Sequence, residues 1–264
     1  MSPDPRPARR SFDELRQTVK VVKPVDFQDR YREYLEASDE KPVLAAGLAP
    51  LLRRGSLLDI GAGSGDVPDL LDVDQETYTA VECQPEFVRL LRDKGYRVID
   101  DLFPCQVGGP FTNVLLCYCL YGREQCELLI HAGWAAVAPS GQLLAVTFRD
   151  HLDEYNSLLH RVGHTNRGGL DVHYNFLTTT FASLGVLTTH VWTSYIYSRD
   201  LAELAGIVSF MATNSNVGTL QRRAEIYAGI MAERRYVDER FRTVAGDYRL
   251  PVHHHVFVVA KDVS

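Results

Sequence analysis

The chain has 264 residues, with 28 Lys and Arg against 34 Asp and Glu and a formal net charge of −6. That length is enough to bury a full core as one α/β domain, and an acidic balance with no basic stripe beyond the Arg-bearing N-terminus argues against nucleic acid as a partner. No apolar run approaches the roughly 18 residues of a membrane span, and the first residues lack the apolar core of a signal peptide. Together with the odd number of cysteines, these features lead us to expect a cytoplasmic protein without a membrane partner.

Residues 1–11, rich in Pro and Arg, are expected to be a disordered tail. Apolar and aromatic residues then recur at helical spacing from Phe27, as in Phe27, Tyr31 and Tyr34, and predict one or two helices before residue 52. Strand and helix signals alternate next. SLLDIG (56–61), TYTAVE (77–82), YRVID (96–100), TNVLLCYCL (112–120) and GQLLAVTF (141–148) read as strands, with helices at 85–94 and 124–137. This order implies a doubly wound parallel sheet. After Arg149, helices near 152–162, 176–184, 200–211 and 218–235 surround a β-rich stretch at 186–197, and VHHHVFVVA (252–260) reads as a terminal strand. The expected fold is α/β, a Rossmann-like, mostly parallel sheet of seven strands. Cys117 and Cys119 lie in a strand-like run that points their thiols to opposite faces, so they read as buried residues rather than zinc ligands, and no metal is expected.

The stretch LLDIGAGSGDVPDLL (57–71) carries the first chemistry. A strand feeding a glycine turn and then a helix is the usual cradle for a nucleotide-like ligand. The glycines are Gly61, Gly63 and Gly65, and Asp66 stands where a dinucleotide fingerprint needs its third glycine. No Gly-Lys-Ser/Thr follows, and a carboxylate at the mouth of the helix repels a pyrophosphate. A nucleoside without phosphates fits better. In an open α/β sheet the ligand lies beyond the carboxyl ends of the strands, so Glu82 can accept from ribose hydroxyls, Asp100 and Asp101 from an exocyclic amine, and Asp59 can orient the turn or a ligand ammonium. Acids without a neighbouring Lys or Arg describe a pocket for a cation with hydroxyls, and S-adenosylmethionine is such a molecule.

LLDIGAGSG, Val81-Glu82, Ile99-Asp100 and LLCYCLYG (115–122) resemble, in order, the motifs of class I S-adenosylmethionine-dependent methyltransferases, over about half the chain. The resemblance implies a cofactor site that also includes Cys83, Leu116 and Cys117, a core over 55–148 and a substrate region over 149–250, with the terminal strand at 251–264. FQDRYREYLEASDE (27–40) is further similar to the opening helix of histamine N-methyltransferases. By that resemblance residues 12–54 form a helical lid, Phe27 and Tyr31 close over the cofactor, and Glu40 binds the substrate amine. Tyr121 and Tyr155 line the acceptor pocket and Tyr118 lies near the transferred methyl. Cys117 replaces a glutamine of that family and His253, His254 and His255 replace asparagines, which points away from histamine itself. His253 and His255 are expected on one side of the strand and His254 on the other. His253 is a candidate base, while His173, Phe210 and His255 are candidate acceptor contacts. The expected activity is methyl transfer to a nitrogen of a small amine or N-heterocycle by in-line displacement. O-methylation with a histidine base and a catalytically silent cofactor-binding protein are the alternatives. A nicotinamide oxidoreductase is disfavoured by Asp66.

Overall fold

The computed structural model describes residues 27–120, 123–148, 153–164, 170–213 and 219–261. The expected tail at 1–11 lies outside them. The first five apolar runs form β1 (Leu57–Ile60), β2 (Tyr78–Glu82), β3 (Arg97–Asp100), β4 (Phe111–Cys117) and β5 (Val137–Phe148). They pair in parallel in the order β3-β2-β1-β4-β5. Every residue of β1 and β2 is buried, because helices cover both faces of a parallel sheet, and this is why these strands read as unbroken apolar runs. β6 (Val186–Ser198) and β7 (Tyr248–Ala260) complete a seven-stranded sheet, β3-β2-β1-β4-β5-β7-β6, in which β7 runs antiparallel between β5 and β6. The strand order reverses between β1 and β4, the point at which an open α/β sheet offers a ligand crevice at its strand ends.

Helices α1 (Phe27–Glu36) and α2 (Glu40–Leu48) precede β1, while α3 (Asp66–Leu70), α4 (Pro85–Asp93) and α5 (Arg123–Ala136) connect the parallel strands. α6 (Glu154–Arg161) and α7 (Leu170–Ala182) follow β5, and α8 (Leu201–Thr213), α9 (Thr219–Ala232) and α10 (Arg234–Phe241) lie between β6 and β7. Several boundaries differ from the sequence reading: β4 ends at Cys117 rather than 120, and β5 begins at Val137 rather than 141. The helix expected over 218–235 is two helices parted at Glu233, and the helix expected from 176 begins at Leu170. β7 begins at Tyr248 rather than 252, since pairing with β6 carries it through Pro251, a residue that cannot donate to the ladder and so disguises the strand. No helix among the described residues is long and apolar enough to cross a membrane.

One side of the sheet buries Leu58, Ile60, Leu116 and Phe257 against Ile130 of α5 and Phe181 of α7. The other buries Leu57, Leu115 and Val256 against Leu44 and Leu48 of α2 and Leu91 of α4. A third cluster joins α6 and α8–α10 to the start of β7. The elbow between α1 and α2 is fastened to β6: Ser38 bridges Ile196, Tyr195 N–H donates to Asp39 Oδ1 at 2.6 Å, and Tyr197 N–H donates to the Ala37 carbonyl at 2.7 Å. α2 also lies hard against Trp192, where a Cβ on Gly47 would come within 2.5 Å of the indole. These contacts carry the first residues of α2 to the mouth of the crevice.

Candidate active site

The turn after β1 holds Gly61, Gly63 and Gly65 at φ values of 73°, 59° and 80°, a region that only glycine enters freely. Close packing explains two of the three: a Cβ on Gly61 would lie 3.0 Å from Cys119 Cβ, and one on Gly65 would lie 2.8 Å from Leu91. A Cβ on Gly63 meets no heavy atom within 4 Å and would project into open space. Glu82, at the end of β2, ties the turn down. Its Oε2 accepts from Gly63 N–H at 2.9 Å, and its Oε1 accepts from Cys83 and Gln84 N–H, both at 2.8 Å.

Asp59 sits beneath the turn and is buried. Its Oδ2 accepts from the Tyr78 hydroxyl at 2.9 Å, while Oδ1 has no hydrogen-bond partner among the described residues. Burial pushes its carboxyl up to about 7 against the pull of the Tyr78 bond, and Glu82 adds to the rise. Asp101 caps its own loop by accepting from Leu102 N–H at 2.8 Å, and Asp100 is half exposed with Arg92 3.4 Å away. Tyr31 of α1 reaches Ser64 in the glycine turn and packs edge-on to Phe87 at 6.3 Å.

At the end of β4 a second group assembles. Glu40 is only 2 % exposed; it accepts from the Tyr34 hydroxyl and from Lys41 Nζ, the latter at 2.8 Å. Burial is the largest influence on the Glu40 carboxyl and pushes it up, but Lys41, His254 and the Tyr34 bond together outweigh it and the net shift is downward. Burial alone would likewise depress Lys41, yet Glu40 holds its ammonium well above the usual lysine range. The pair is therefore charged at neutral pH, and Lys41 lies over the Tyr118 ring at 5.5 Å. Tyr118 itself has a φ of 52°, a left-handed conformation unusual for an aromatic residue and a mark of local constraint. Its hydroxyl meets His254 Nδ1, while Ser194 Oγ lies 2.7 Å from His254 Nε2. Burial drives this imidazole down to about 4, so it is neutral at physiological pH with both nitrogens engaged. Phe148 stacks on Tyr118 at 4.6 Å and on Tyr155 at 6.5 Å, which extends an aromatic wall from β4 across β5 to α6. Cys117 has its thiol pushed up to about 12 by burial, so it is not a thiolate nucleophile at neutral pH.

The structure thus gathers Tyr31, Glu40, Asp59, the three glycines, Glu82, Cys117, Tyr118 and Tyr155 at one end of the sheet, with Cys83 following Glu82. Other expectations need correction. Phe210 is 1 % exposed inside the α8–α9 cluster, where helix packing rather than a ligand fills its surroundings. The Leu116 side chain is fully buried in the sheet core, which leaves only its backbone to face a ligand. His255 packs edge-on to Tyr174 at 4.5 Å, among the core residues on the α7 side. His253 contacts Thr193 Oγ1 at 2.7 Å and Glu154 at 3.0 Å rather than the Tyr118 group. The histidine that joins that group is His254, whose face of β7 follows from its pairing with Trp192 on β6 and Phe148 on β5. The expectation of no neighbouring lysine also fails, because Lys41 enters from α2 and Lys94 Nζ donates to the Ser64 carbonyl at 2.7 Å. Tyr121 and the side chains of Phe27 and His173 lie outside the described residues.

No protein-family model and no curated protein sequence matches the chain. Solved structures do match its fold. The YcgJ protein of Bacillus subtilis superposes with a TM-score of 0.54 at 14% identity, over 83% of this chain and 98% of that one. An S-adenosylmethionine-dependent methyltransferase of Thermotoga maritima, described as a possible histamine N-methyltransferase, superposes with a TM-score of 0.51 at 10% identity, over 90% of this chain and 95% of its own. A candidate methyltransferase of Bacillus halodurans does so with a TM-score of 0.51 at 14% identity, over 83% and 98%. The seven-stranded sheet of this chain, with its antiparallel β7, is a Rossmann-like α/β fold that these structures share.

Proposed function

We propose that the protein is an S-adenosylmethionine-dependent methyltransferase that methylates a nitrogen atom of a small-molecule acceptor. Three observations support that cofactor: Asp59 Oδ1 is a buried acceptor in need of a donor, the space beside Gly63 is open, and Glu82 at the end of β2 holds a carboxylate against the glycine turn. When bound, S-adenosylmethionine supplies an electrophilic methyl group on a sulfonium. The chain's own residues hold and orient. Glu82 would accept from the ribose hydroxyls and Asp59 from the ammonium, and Asp100 and Asp101 lie at the strand end where the base would be read. Tyr118, Phe148 and Tyr155 orient the acceptor and exclude water, and Glu40 faces them with a carboxylate that retains acceptor capacity beyond Tyr34 and Lys41.

One observation carries the choice of nitrogen over oxygen. The histidine beside Tyr118 is neutral, with both ring nitrogens engaged and its pKa near 4, so it is a poor base for stripping a hydroxyl. A neutral amine needs no such base, since it attacks after losing its proton to water. Release of S-adenosylhomocysteine with matched panels of amines and phenols tests this. Turnover is expected with amines, climbing with pH as free base accumulates; turnover confined to phenols would replace the reading with O-methylation.

Two further outcomes are expected. Glu40→Gln is expected to spare cofactor affinity while raising the acceptor KM by about tenfold, because a charge-assisted contact to the arriving ammonium is lost. A KM within about twofold of wild type would remove Glu40 from the acceptor site. The second concerns Asp59, whose carboxyl is held up near pH 7 in the free protein. A ligand ammonium beside it favours the carboxylate, so binding expels a proton below pH 7 and affinity rises as pH climbs toward 7, then levels off. Calorimetry with S-adenosylhomocysteine in two buffers of different ionisation enthalpy at pH 6 is expected to report that proton. Asp59→Asn is expected to abolish it; a buffer-independent heat in the wild type would detach Asp59 from the ammonium.

A further inference from the structure

Lys41 has no task in the account so far, although its position is costly. Its side chain is 16% exposed, and a buried ammonium carries a desolvation penalty that a single ion pair offsets only in part. The ammonium has three donors, and among the described residues Glu40 is the one side chain with which Nζ forms a hydrogen bond or ion pair. An apolar residue pairing with a neutral one at 40 would fasten the start of α2 as well. The surroundings give Lys41 a direction: it lies over the Tyr118 ring, and it is near enough to Asp59, Cys117 and Tyr31 to hold each of them toward the ionised form. Those residues come from β1, the end of β4 and α1, and they meet at the crevice beside the glycine turn.

Asp59 has a buried oxygen lacking a donor, Lys41 has donors to spare, and the two lie close enough for the ammonium to pull the Asp59 carboxyl toward its ionised form. An α-amino acid carries its ammonium and carboxylate on one carbon, and a paired acid and base is the complement of that dipole. We propose that Lys41 binds the carboxylate of the α-amino-acid end of the cofactor, opposite Asp59 on its ammonium. This rests on the cofactor reading above. The same chemistry would also suit a carboxylate on the acceptor, so the test separates the two sources.

The probes are S-adenosylhomocysteine, which carries the amino-acid end, and 5′-methylthioadenosine, which keeps the nucleoside and thioether but lacks it. Both are titrated calorimetrically into the wild type, Lys41→Gln, Lys41→Arg and the double variant Glu40→Gln/Lys41→Gln, which avoids leaving a lone buried carboxylate. Lys41→Gln and the double variant are expected to bind S-adenosylhomocysteine at least tenfold more weakly and 5′-methylthioadenosine within twofold of wild type, and Lys41→Arg to restore most of the loss. Equal weakening of both probes would make Lys41 a structural residue and overturn the proposal. S-adenosylhomocysteine affinity within twofold of wild type would also overturn it, transferring Lys41 to the acceptor. A wild type that binds neither probe would overturn the cofactor reading, and this proposal with it.

Discussion

Gly63→Val is expected to abolish nucleoside binding, with affinity for S-adenosylhomocysteine falling at least about a hundredfold, while the chain stays folded. A Cβ at this position has no protein atom within 4 Å, so the new side chain finds room in the free protein and occupies the space where the ligand would lie. The φ of 59° makes a β-branched residue unfavourable there by roughly 1–2 kcal/mol, a cost a folded domain tolerates. Gly65 provides the contrast. Its Cβ would collide with Leu91 at 2.8 Å, so Gly65→Val is expected to lower the thermal midpoint markedly. Calorimetric titration together with thermal unfolding checks both variants. Tight binding by Gly63→Val would move the ligand away from the glycine turn.

Glu82→Ala is expected to weaken the cofactor by about 2 kcal/mol or more, roughly a thirtyfold change in dissociation constant. Two losses combine. The ribose hydroxyls lose a charged acceptor, and the N–H groups of Gly63, Cys83 and Gln84 lose the carboxylate that fixes the turn beneath the ligand. Glu82→Gln separates them, since an amide keeps one acceptor oxygen but not the charge, and an intermediate affinity is expected. Isothermal titration decides the matter: an affinity within twofold of wild type for the alanine variant would remove Glu82 from the cofactor site.

The parts of the site legible from sequence are those whose meaning is local. A strand, a glycine turn and a helix follow one another within fifteen residues, so Gly61, Gly63 and Gly65 and the acid at the next strand end announce themselves by spacing. The burial of Glu40 is not legible locally, since its neighbour Lys41 gives the pair the look of a solvated helix end. Burial of that pair depends on the elbow fastened to β6, some 155 residues away in the chain. His254 was hidden for a related reason. Alternation separates it from His253 and His255, but which face of β7 meets the crevice depends on the antiparallel register with β5 and β6. Phe210 misled in the opposite sense, because an aromatic residue in a helical segment looks the same whether it lines a pocket or fills a core.

The most direct test of the account is isothermal titration of the purified chain with S-adenosylhomocysteine and, separately, with NADH. Saturable one-to-one binding of S-adenosylhomocysteine is expected, with a Kd of roughly micromolar or tighter, and no binding of NADH, whose pyrophosphate Asp66 opposes at the head of α3. Saturable binding of NADH with no heat from S-adenosylhomocysteine would contradict it.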